Sequence, residues 1–592
     1  MKSSRSCLAQ GALLSALLMA LGHSAGARTT ATTPTAAFTA ARFSALPSAG
    51  AVTITVTRSG DTSSSVLATY TTIDGTAVAG NDYASTTGTL AWASGDGTPK
   101  SFVVPIASAD PGNNSFTVAL LSTSGANFGA PFDATVSISS AMSSGSNSPS
   151  FYVAPTGNDS NAGSLSAPFL TLKKAQSAMK GSSTKTTDLR AGTYTVTSTL
   201  ALSSADDGET WQYYPPDGVD SAVLNGNNSV SGGLIAIEGG SNITINGLKL
   251  ENFVDYGILG GGGRNTNWGA VAEDTGNTIE NCDIGFNTIT SWHSAGISLS
   301  GPNATIANNY IHDIGSQGIA SYAYYAGQSI NGTVIKNNVV LRAVQRMSDG
   351  GAIYTNMHSG IQSDYVTIIN NYVADQGSAN TWGVHGIYLD DLSSNVTVTG
   401  NVVRAPSVGT GTGSGSRYGT NAISAFLDNS GNKNVISGNI VDLGSSATVS
   451  TVVFYYDSAE PVDVGMEDDT FTGNIVISNF TGGLKTNVSG VSRYAYFAYT
   501  PALGADPKGF SYTIQNNAYW NYAAGGPVSS NGTVASDSSP ITEDPQLSGW
   551  TYEIASGSPV YNSPVNFAPI VGGWGPTGYV IPESGVAPSS PH

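Results

Sequence analysis

Two aspartates in the second half of the chain have a spacing that suits acid–base chemistry. Asp390 ends an aromatic-Leu-Asp phrase and lies eleven residues before Asn401. Asp428 ends a second such phrase and lies eleven residues before Asn439. If the two phrases occupy successive coils of a repeat, the carboxyl groups stack at about the 4.8 Å spacing of neighbouring strands. Two carboxylates at that distance repel each other, so one pKa rises and an acid can act beside a base or nucleophile.

This spacing is close to that of the paired carboxyl groups of glycosidases. Retaining enzymes hold the two groups about 5–5.5 Å apart, and inverting enzymes hold them about 6.5–9.5 Å apart. Two other interpretations of the stack remain open. It could hold Ca²⁺, which takes oxygen ligands, or it could be an ordinary solvated turn.

Residues that could bind a sugar are concentrated in the same part of the chain. Aromatic rings along a groove provide the flat apolar faces on which sugar rings stack. The alternative is that the tyrosines cover sheet faces. The predicted substrate-binding residues are Trp292, His293, Arg346, Tyr354, His358, Trp382 and Tyr388.

A short repeated phrase predicts the elements that position these side chains. The phrases end at Gly247, Cys282, Asn309, Asn338, Asn371, Asn401, Asn439, Asn474 and Asn517. Irregular periods of about 27 to 43 residues are typical of a solenoid with loops of variable length. Val and Ile at equivalent positions should stack inside it, and each Asn can bond the Asn one coil away. Cys282 occupies one of these positions, so we expect a buried ladder residue there and not a reactive thiol.

The solenoid region carries two resemblances. Its opening, from Phe151 to Tyr194, resembles the N-terminal cap of right-handed parallel β-helix enzymes. The phrases Ser348-Asp349-Gly350-Gly351-Ala352-Ile353-Tyr354 and His385-Gly386-Ile387-Tyr388-Leu389-Asp390-Asp391 resemble β-helix glycoside hydrolases, most nearly family 141. This resemblance implies that Asp349, together with Asp390 or Asp391, supplies the acid and the nucleophile.

The alignment of these two phrases raises a conflict. If Ile353 stacks on Ile387, Asp349 lies seven positions before the level of Asp390, which is about 23 Å along a straight strand. The preceding loop would have to curl back for the two to pair. The pairing therefore stays open, and the candidate catalytic residues are Asp349, Asp390, Asp428, Asp391 and His385.

The region before the solenoid alternates at period two, as in Val52-Thr53-Ile54-Thr55-Val56-Thr57, and predicts a β-sandwich. The phrases Thr57-Arg58-Ser59-Gly60, Asp74-Gly75-Thr76-Ala77-Val78-Ala79-Gly80-Asn81-Asp82-Tyr83 and Gly88-Thr89-Leu90 resemble the Calx-β module. Members of that family often bind Ca²⁺ through acidic loops. Here Asn113-Asn114 stands where acidic residues would be expected, and a spacer or adhesive role is the alternative.

Composition limits the class of protein. The 592 residues include 22 Lys or Arg and 40 Asp or Glu, so the net charge is −18, and only 10% of residues are charged. The 72 glycines disfavour a helical protein, whereas the abundance of Val, Ile and Tyr excludes disorder. A nucleic-acid-binding role is disfavoured because phosphate contacts need clustered basic residues. Two cysteines cannot form a disulfide scaffold.

The first residues predict an export signal. Lys2 and Arg5 precede an apolar run from Ala9 to Leu21, and Ala25-Gly26-Ala27 fits a cleavage site. The run is too short to span a bilayer, and no later run approaches about 20 residues. We therefore expect a secreted or periplasmic protein that does not insert into the membrane.

The predicted fold class is all-β, an N-terminal β-sandwich followed by a right-handed parallel β-helix solenoid. The predicted boundaries are a signal peptide (1–27), a linker (28–37), the Calx-β-like sandwich (38–140), a second linker (141–150), the β-helix (151–525) and a C-terminal tail that packs on the solenoid (526–592).

The predicted function is a monomeric glycoside hydrolase that degrades a polysaccharide and needs no cofactor for hydrolysis. The first alternative is a polysaccharide lyase that acts on a uronate-containing glycan with Ca²⁺ and basic residues such as Arg342, Arg346 and Arg404. The net charge disfavours steering of an anionic polymer towards the chain. The second alternative is a non-catalytic surface adhesin.

Overall fold

The computed structural model describes most of the chain between residues 34 and 560. The described ranges are 34–39, 42–45, 50–74, 77–107, 114–128, 133–138, 150–217, 221–261, 274–288, 294–325, 327–358, 364–377, 383–404, 423–444, 450–455, 466–479, 497–498, 510–523, 525, 537–548, 552–554 and 558–560. The chain divides into two compact units, Met1–Ile138 and Ser139–His592.

The first unit contains two mainly antiparallel sheets. One sheet has the strand order β6-β3-β1-β8 and the other β2-β9-β7-β4-β5. The strands are β1 (Thr35–Phe38), β2 (Arg42–Ala45), β3 (Ala51–Ser59), β4 (Val66–Ile73), β5 (Thr87–Trp92), β6 (Lys100–Pro105), β7 (Asn114–Ser124), β8 (Asn127–Phe128) and β9 (Asp133–Ile138).

The period-two pattern of the sequence explains this sandwich. Along β3 the apolar residues Val52, Ile54 and Val56 are buried, and they alternate with more exposed threonines. The predicted linker at 28–37 is wrong at its end, because β1 begins at Thr35 and pairs with β3. The predicted signal peptide lies outside the described residues.

The second unit is a parallel β-helix of three long sheets. The first sheet contains β10 (Ser150–Val153), β11 (Thr186–Leu189), β14 (Thr210–Tyr213), β17 (Thr244–Asn246), β20 (Thr278–Glu280), β23 (Thr305–Ala307), β26 (Thr333–Lys336), β29 (Val366–Ile369), β32 (Val396–Thr399), β35 (Val435–Ser437), β38 (Met466–Thr472) and β41 (Phe510–Gln515). The second sheet contains β12 (Gly192–Thr195), β15 (Ala222–Asn225), β18 (Lys249–Glu251), β21 (Asp283–Gly285), β24 (Tyr310–His312), β27 (Val339–Leu341), β30 (Tyr372–Ala374), β33 (Val402–Arg404), β36 (Ile440–Asp442), β39 (Ile475–Ser478) and β42 (Ala518–Asn521).

The third sheet contains β13 (Leu200–Ser203), β16 (Ile235–Glu238), β19 (Tyr256–Gly260), β22 (Ala295–Leu299), β25 (Gln317–Tyr322), β28 (Gly350–Asn356), β31 (Val384–Asp390), β34 (Ile423–Asn429), β37 (Ser450–Tyr455) and β40 (Phe497–Ala498). One α-helix, α1 (Leu172–Lys180), two 3-10 turns (Ser204–Asp206 and Pro215–Asp217) and the short pair β43 (Leu547–Ser548) and β44 (Glu553–Ile554) complete the described elements.

Aliphatic side chains stack inside the solenoid at one level per coil. On the third sheet the stack runs through Ile297, Ile319, Ile353, Ile387 and Phe426. All of these residues belong to one continuous buried cluster. The prediction that Ile353 stacks on Ile387 is therefore confirmed.

The predicted asparagine ladder is confirmed at the turn between the first and second sheets. Asn371 donates from its backbone and side-chain nitrogens to Oδ1 of Asn401, at 2.8 and 2.9 Å, and Asn401 bonds Asn439 in the same way. Cys282 is buried, and its backbone nitrogen donates to Asn309 Oδ1 at 3.0 Å, so it is a ladder residue. At the C-terminal end of the ladder, Asp537 accepts hydrogen bonds from the backbone and side-chain nitrogens of Asn517.

The lengths of the connections show which sheet can carry a site. From β17 onward, every connection from the first to the second sheet has two residues. The connections that enter and leave the third sheet range from four to eighteen residues. The third sheet is therefore the one bordered by long loops on both sides, which is where solenoid enzymes can build a binding groove.

Candidate functional site

The best candidate site lies where β28 and β31 end, on the outer side of the third sheet. Tyr354 pairs with Tyr388 and Asn356 pairs with Asp390 in the two neighbouring strands. The two tyrosines belong to a buried cluster that is separate from the solenoid core. The side chains at these levels therefore point away from the interior.

Hydrogen bonds join four side chains at this edge, and a fifth, that of His358, lies beside them. We call these residues the rim cluster: Tyr354, Asn356, His358, Asp390 and Asp391. Tyr354 Oη donates to Asp390 Oδ2 at 2.5 Å. Asn356 Nδ2 donates to Tyr354 Oη at 3.2 Å and to Asp391 Oδ2 at 2.8 Å. His358 Nδ1 lies 3.9 Å from the same Asp391 oxygen.

The rim cluster places two carboxyl groups no farther apart than those of inverting glycosidases. Contacts of 2.5, 3.2 and 2.8 Å lead from Asp390 Oδ2 to Asp391 Oδ2, so these oxygens are at most about 8.5 Å apart. Burial, together with the nearby charges of Asp390 and Asp391, raises the pKa of Tyr354 well above its ordinary value. The phenol therefore stays protonated and acts as a hydrogen-bond donor to Asp390.

The rim cluster is open to solvent on one side only. The side chain of His358 is 30% exposed and that of Asp391 is 16% exposed, whereas Asp390 and Tyr354 are buried. Tyr324 stacks on His358 with ring centroids 4.7 Å apart, and the exposed Tyr325 contacts Tyr324 edge-on at 5.2 Å. A sugar could therefore approach along these aromatic rings towards Asp391 and His358.

The loop that carries the two tyrosines is held by one glutamine. Gln328 Oε1 accepts the backbone N–H groups of Tyr324 and Tyr325 at 3.0 and 2.9 Å. Asn356, Tyr324 and Tyr325 were not among the predicted site residues. The sequence did contain a signal for Asn356. Asn356 follows Ile353 by three residues, as Asp390 follows Ile387, so the alignment of the two isoleucines places Asn356 one coil before Asp390.

The predicted stacking of Asp428 on Asp390 is wrong. Asp428 pairs with Leu389, a core residue, and is fully buried. In the following strands, Thr397 pairs with Val435. Eight positions separate Leu389 from Thr397, but only seven separate Asp428 from Val435. Because side chains alternate between faces, this difference of one residue turns Asp428 into the solenoid interior.

Asp428 instead forms part of an interior carboxyl pair with Asp469. Asn434 Nδ2 donates to both oxygens of Asp428, at 3.1 and 3.0 Å, and its backbone nitrogen donates to Asp469 Oδ1 at 2.8 Å. Burial raises the pKa of Asp428 to about 7. Burial, and then the charge of Asp428, raise the pKa of Asp469 well above its ordinary value. No sugar can reach either carboxyl group.

Asp349 and Arg346 are at the other end of β28. Asp349 directly precedes this strand and lies beside Gly383, which is seven residues before Asp390. The separation along the strand is about 23 Å, so the pairing of Asp349 with Asp390 that the family resemblance implied is wrong, as the alignment of the two phrases had indicated. Arg346 is exposed in the turn before Asp349, at the opposite end of β28 from the rim cluster, and its predicted role in substrate binding stays a prediction.

His385 and Tyr388 do not face solvent. His385 is fully buried, its Nδ1 lies 2.8 Å from Ser424 Oγ, and its ring contacts Tyr388 edge-on at 4.7 Å. Burial lowers the pKa of His385 to about 3. The predicted contacts of His385, Tyr388 and Tyr354 with a sugar ring are therefore wrong, and Tyr354 holds Asp390 in place instead.

Three of the predicted substrate-binding residues, Trp292, His293 and Trp382, lie outside the described residues. Within the described part of the chain, no group of three or more His, Cys, Asp or Glu side chains could hold a metal ion. No helix among the described residues is long and apolar enough to cross a membrane.

Comparison with known families supports both structural units. Residues 31–141 match the model of the Calx-beta domain, and residues 232–425 match the model of the right handed beta helix region. The crystal structure of the apo-form Calx CBD1 domain is 27% identical, with a TM-score of 0.18, over 18% of this chain and 98% of that chain. No curated protein matches the chain.

Solved structures similar to the second unit include carbohydrate-active enzymes. The A-module of the Azotobacter vinelandii mannuronan C-5 epimerase AlgE4 is 16% identical, covers 62% of this chain and 95% of its own, and has a TM-score of 0.31. A structure described as a glycoside hydrolase is 9% identical, covers 63% and 97%, and has a TM-score of 0.36. At these identities and TM-scores the likeness carries no conclusion about this chain. The family matches and the sheets of the second unit together show a stretch that matches the Calx-beta domain, followed by a right-handed parallel β-helix.

Proposed function

We propose that this protein is an exported enzyme that cleaves a polysaccharide, and that it is a glycoside hydrolase acting through Asp390 and Asp391. The observation that carries the proposal is the rim cluster, in which Tyr354 and Asn356 link two carboxyl groups beside a partly exposed histidine. A buried network of this kind holds its members in fixed positions, as catalysis requires.

The two aspartates are suited to different roles. Asp390 accepts a hydrogen bond from a phenol that stays protonated, so it is held as an acceptor, the form of a base or nucleophile. Asp391 is partly exposed and lies 3.9 Å from the more exposed His358, and in this proposal it delivers a proton to the leaving oxygen. Tyr325 and Tyr324 provide faces on which the sugar can stack.

The proposal is tested by screening the secreted protein against a panel of polysaccharides and measuring the release of reducing sugar. Asp390→Asn and Asp391→Asn should each abolish release while circular dichroism shows a native fold. Asp349→Asn, at the far end of β28, is the matched control and should remain active. Near-normal activity of either rim variant would remove that residue from the mechanism.

A lyase is the second candidate, and the partly exposed His358 favours it. A lyase abstracts a proton beside a carboxyl group, for which an imidazole near Asp391 and the amide of Asn356 is a suitable set. The two reactions differ in their products, because only a lyase leaves an unsaturated sugar that absorbs ultraviolet light. Absorbance that rises in step with the new reducing ends would replace the hydrolase assignment with a lyase.

Export is part of the proposal. The first 27 residues have the charge, apolar run and small-residue site of a cleaved signal. N-terminal sequencing of the protein from the medium or periplasm should begin after Ala27. A chain that retains Met1 in the cytoplasm would contradict this assignment.

A further inference from the structure

Phe286, on the second sheet, has a conformation that folding alone does not favour. It follows the last residue of β21, its φ is +63°, and 47% of it is exposed. The equivalent positions after β18, β24 and β27 are Asn252, Asp313 and Arg342, which also have positive φ. Asn and Asp tolerate this left-handed backbone, whereas an aromatic residue is rarely found there. A strained residue that also exposes an aromatic ring suggests a function.

The ring of Phe286 rests on a rigid support. It contacts His312 edge-on, with centroids 4.9 Å apart, and Tyr310 stacks on the other side of His312 at 4.3 Å. His312 can lie here because Gly285 has no side chain, since a Cβ on Gly285 would be 2.5 Å from the imidazole. Nε2 of His312 lies 2.8 Å from Asp283, and Nδ1 lies 2.7 Å from Asp313.

Charged groups that remain partly exposed surround this support. Arg342 binds Asp313 through two hydrogen bonds of 2.7 and 2.8 Å, and neither side chain is buried. Lys249 lies 3.5 Å from Asp283. An apolar ring bordered by carboxylates and a guanidinium matches a sugar ring, which has a face of C–H groups and a rim of hydroxyl groups.

We propose that Phe286, Tyr310, His312, Asp313 and Arg342 form a second glycan-binding site, which we call the Phe286 platform. It lies on the second sheet, whereas the rim cluster lies on the third. Phe286 is two coils, about 10 Å along the axis, before β28, and Arg342 is in the same coil as β28. Its role is to hold a long or insoluble polysaccharide while another part of the chain is cleaved. The platform rests on the proposal that the substrate is a glycan.

The test is native gel electrophoresis of the full-length protein in gels that contain xylan, β-glucan, galactan or alginate. The protein carries Asp391→Asn, so that cleavage of the polysaccharide does not confound the measurement of binding. Phe286→Asn should weaken retardation about tenfold. Because Asn suits the left-handed turn, the same substitution should leave the denaturation midpoint unchanged or raise it. Tyr365→Ala, which removes an aromatic residue that is 66% exposed on another face, is the matched control and should retain binding.

The outcomes separate this proposal from the proposed function. Loss of retardation in Phe286→Asn, with normal cleavage of short oligosaccharides when Asp391 is intact, supports the platform. Unchanged retardation, or no retardation of the parent protein in any of the four gels, overturns it. A fall in the denaturation midpoint of Phe286→Asn would show that the ring serves packing and would also overturn it. Absence of cleavage together with loss of retardation would remove the hydrolase and keep the platform.

Discussion

Asp390 and Asp428 end almost identical phrases in adjacent coils but have opposite environments. Asp390 lies on the outer side of the third sheet within the rim cluster, and Asp428 lies in the interior beside Asp469. Each aspartate is the same number of residues before its ladder asparagine. Counted between paired strand positions, the turn after Asp428 is one residue shorter than the turn after Leu389 in the preceding coil. The comparison shows that equal spacing in sequence does not guarantee the same face, because a strand alternates with every residue.

The largest expected difference between these two aspartates is in catalysis. Asp390→Asn should lower the rate of glycan cleavage by about 10³-fold, since it removes the proposed base or nucleophile. Asp428→Asn should leave the rate within about twofold, because its carboxyl group is sealed inside the solenoid. Initial rates of reducing-sugar release measure both. Equal losses in the two variants would contradict the assignment of opposite faces.

A second difference concerns the residue that links the interior carboxyl pair. Asn434→Ala removes the donor to Asp428 and to Ser393 and the acceptor of Val396 N–H. Buried polar groups left without partners should lower the free energy of unfolding by about 3 kcal/mol, as measured by urea denaturation. Asn432→Ala, in the same turn and half-buried, should change it by less than about 0.5 kcal/mol. Similar losses in the two variants would show that Asn434 has no special role.

The interior carboxyl pair should also make stability depend on pH. The folded pKa of Asp428 is about 7 against an ordinary 3.8, and that of Asp469 is raised too. Between these pH values the folded state binds more protons than the unfolded state does. The contribution of the pair to the free energy of unfolding is therefore complete below about pH 4 and is lost as the pH rises through about 7. Asp469→Asn should therefore raise the free energy of unfolding by about 2 kcal/mol at pH 7.5 and change it little at pH 4. Denaturation at the two pH values measures this, and a loss of stability at both would refute the raised pKa values of the pair.

The smallest expected effect is that of removing metal ions. The rim cluster supplies two carboxyl groups that Asn356 and Tyr354 already bond, so we expect hydrolysis to need no cation. Activity in excess chelator should stay within about 20% of the untreated rate, a change too small to correspond to a lost transition-state contact. A loss that added Ca²⁺ restores would indicate a cation-assisted reaction, as in the lyase alternative.

The repeat predicted much of the fold and only part of the site. The ladder positions and the buried Cys282 followed from the repeated phrase, because two-residue connections keep that turn in phase from coil to coil. The stacking of Ile353 on Ile387 followed from the alignment of the two Ile-Tyr phrases. The same alignment correctly indicated that Asp349 is too far from Asp390. It could not show that His385 is buried, since burial depends on what packs over an outer face.

The amino-acid sequence by itself determined the two kinds of module, the level of each coil and the strand end at which Asp390 and Asp391 lie. The repeat is enough for this, because turn-forming asparagines and apolar strand residues recur at corresponding positions along the sequence. Only the tertiary structure decided that Asp428 points inwards, that Tyr354 and Asn356 join two carboxyl groups, and that Phe286 is presented on a support of His312 and Tyr310. Each of these outcomes depends on one residue more or less in a turn, or on contacts between coils about 30 residues apart, which no local pattern records.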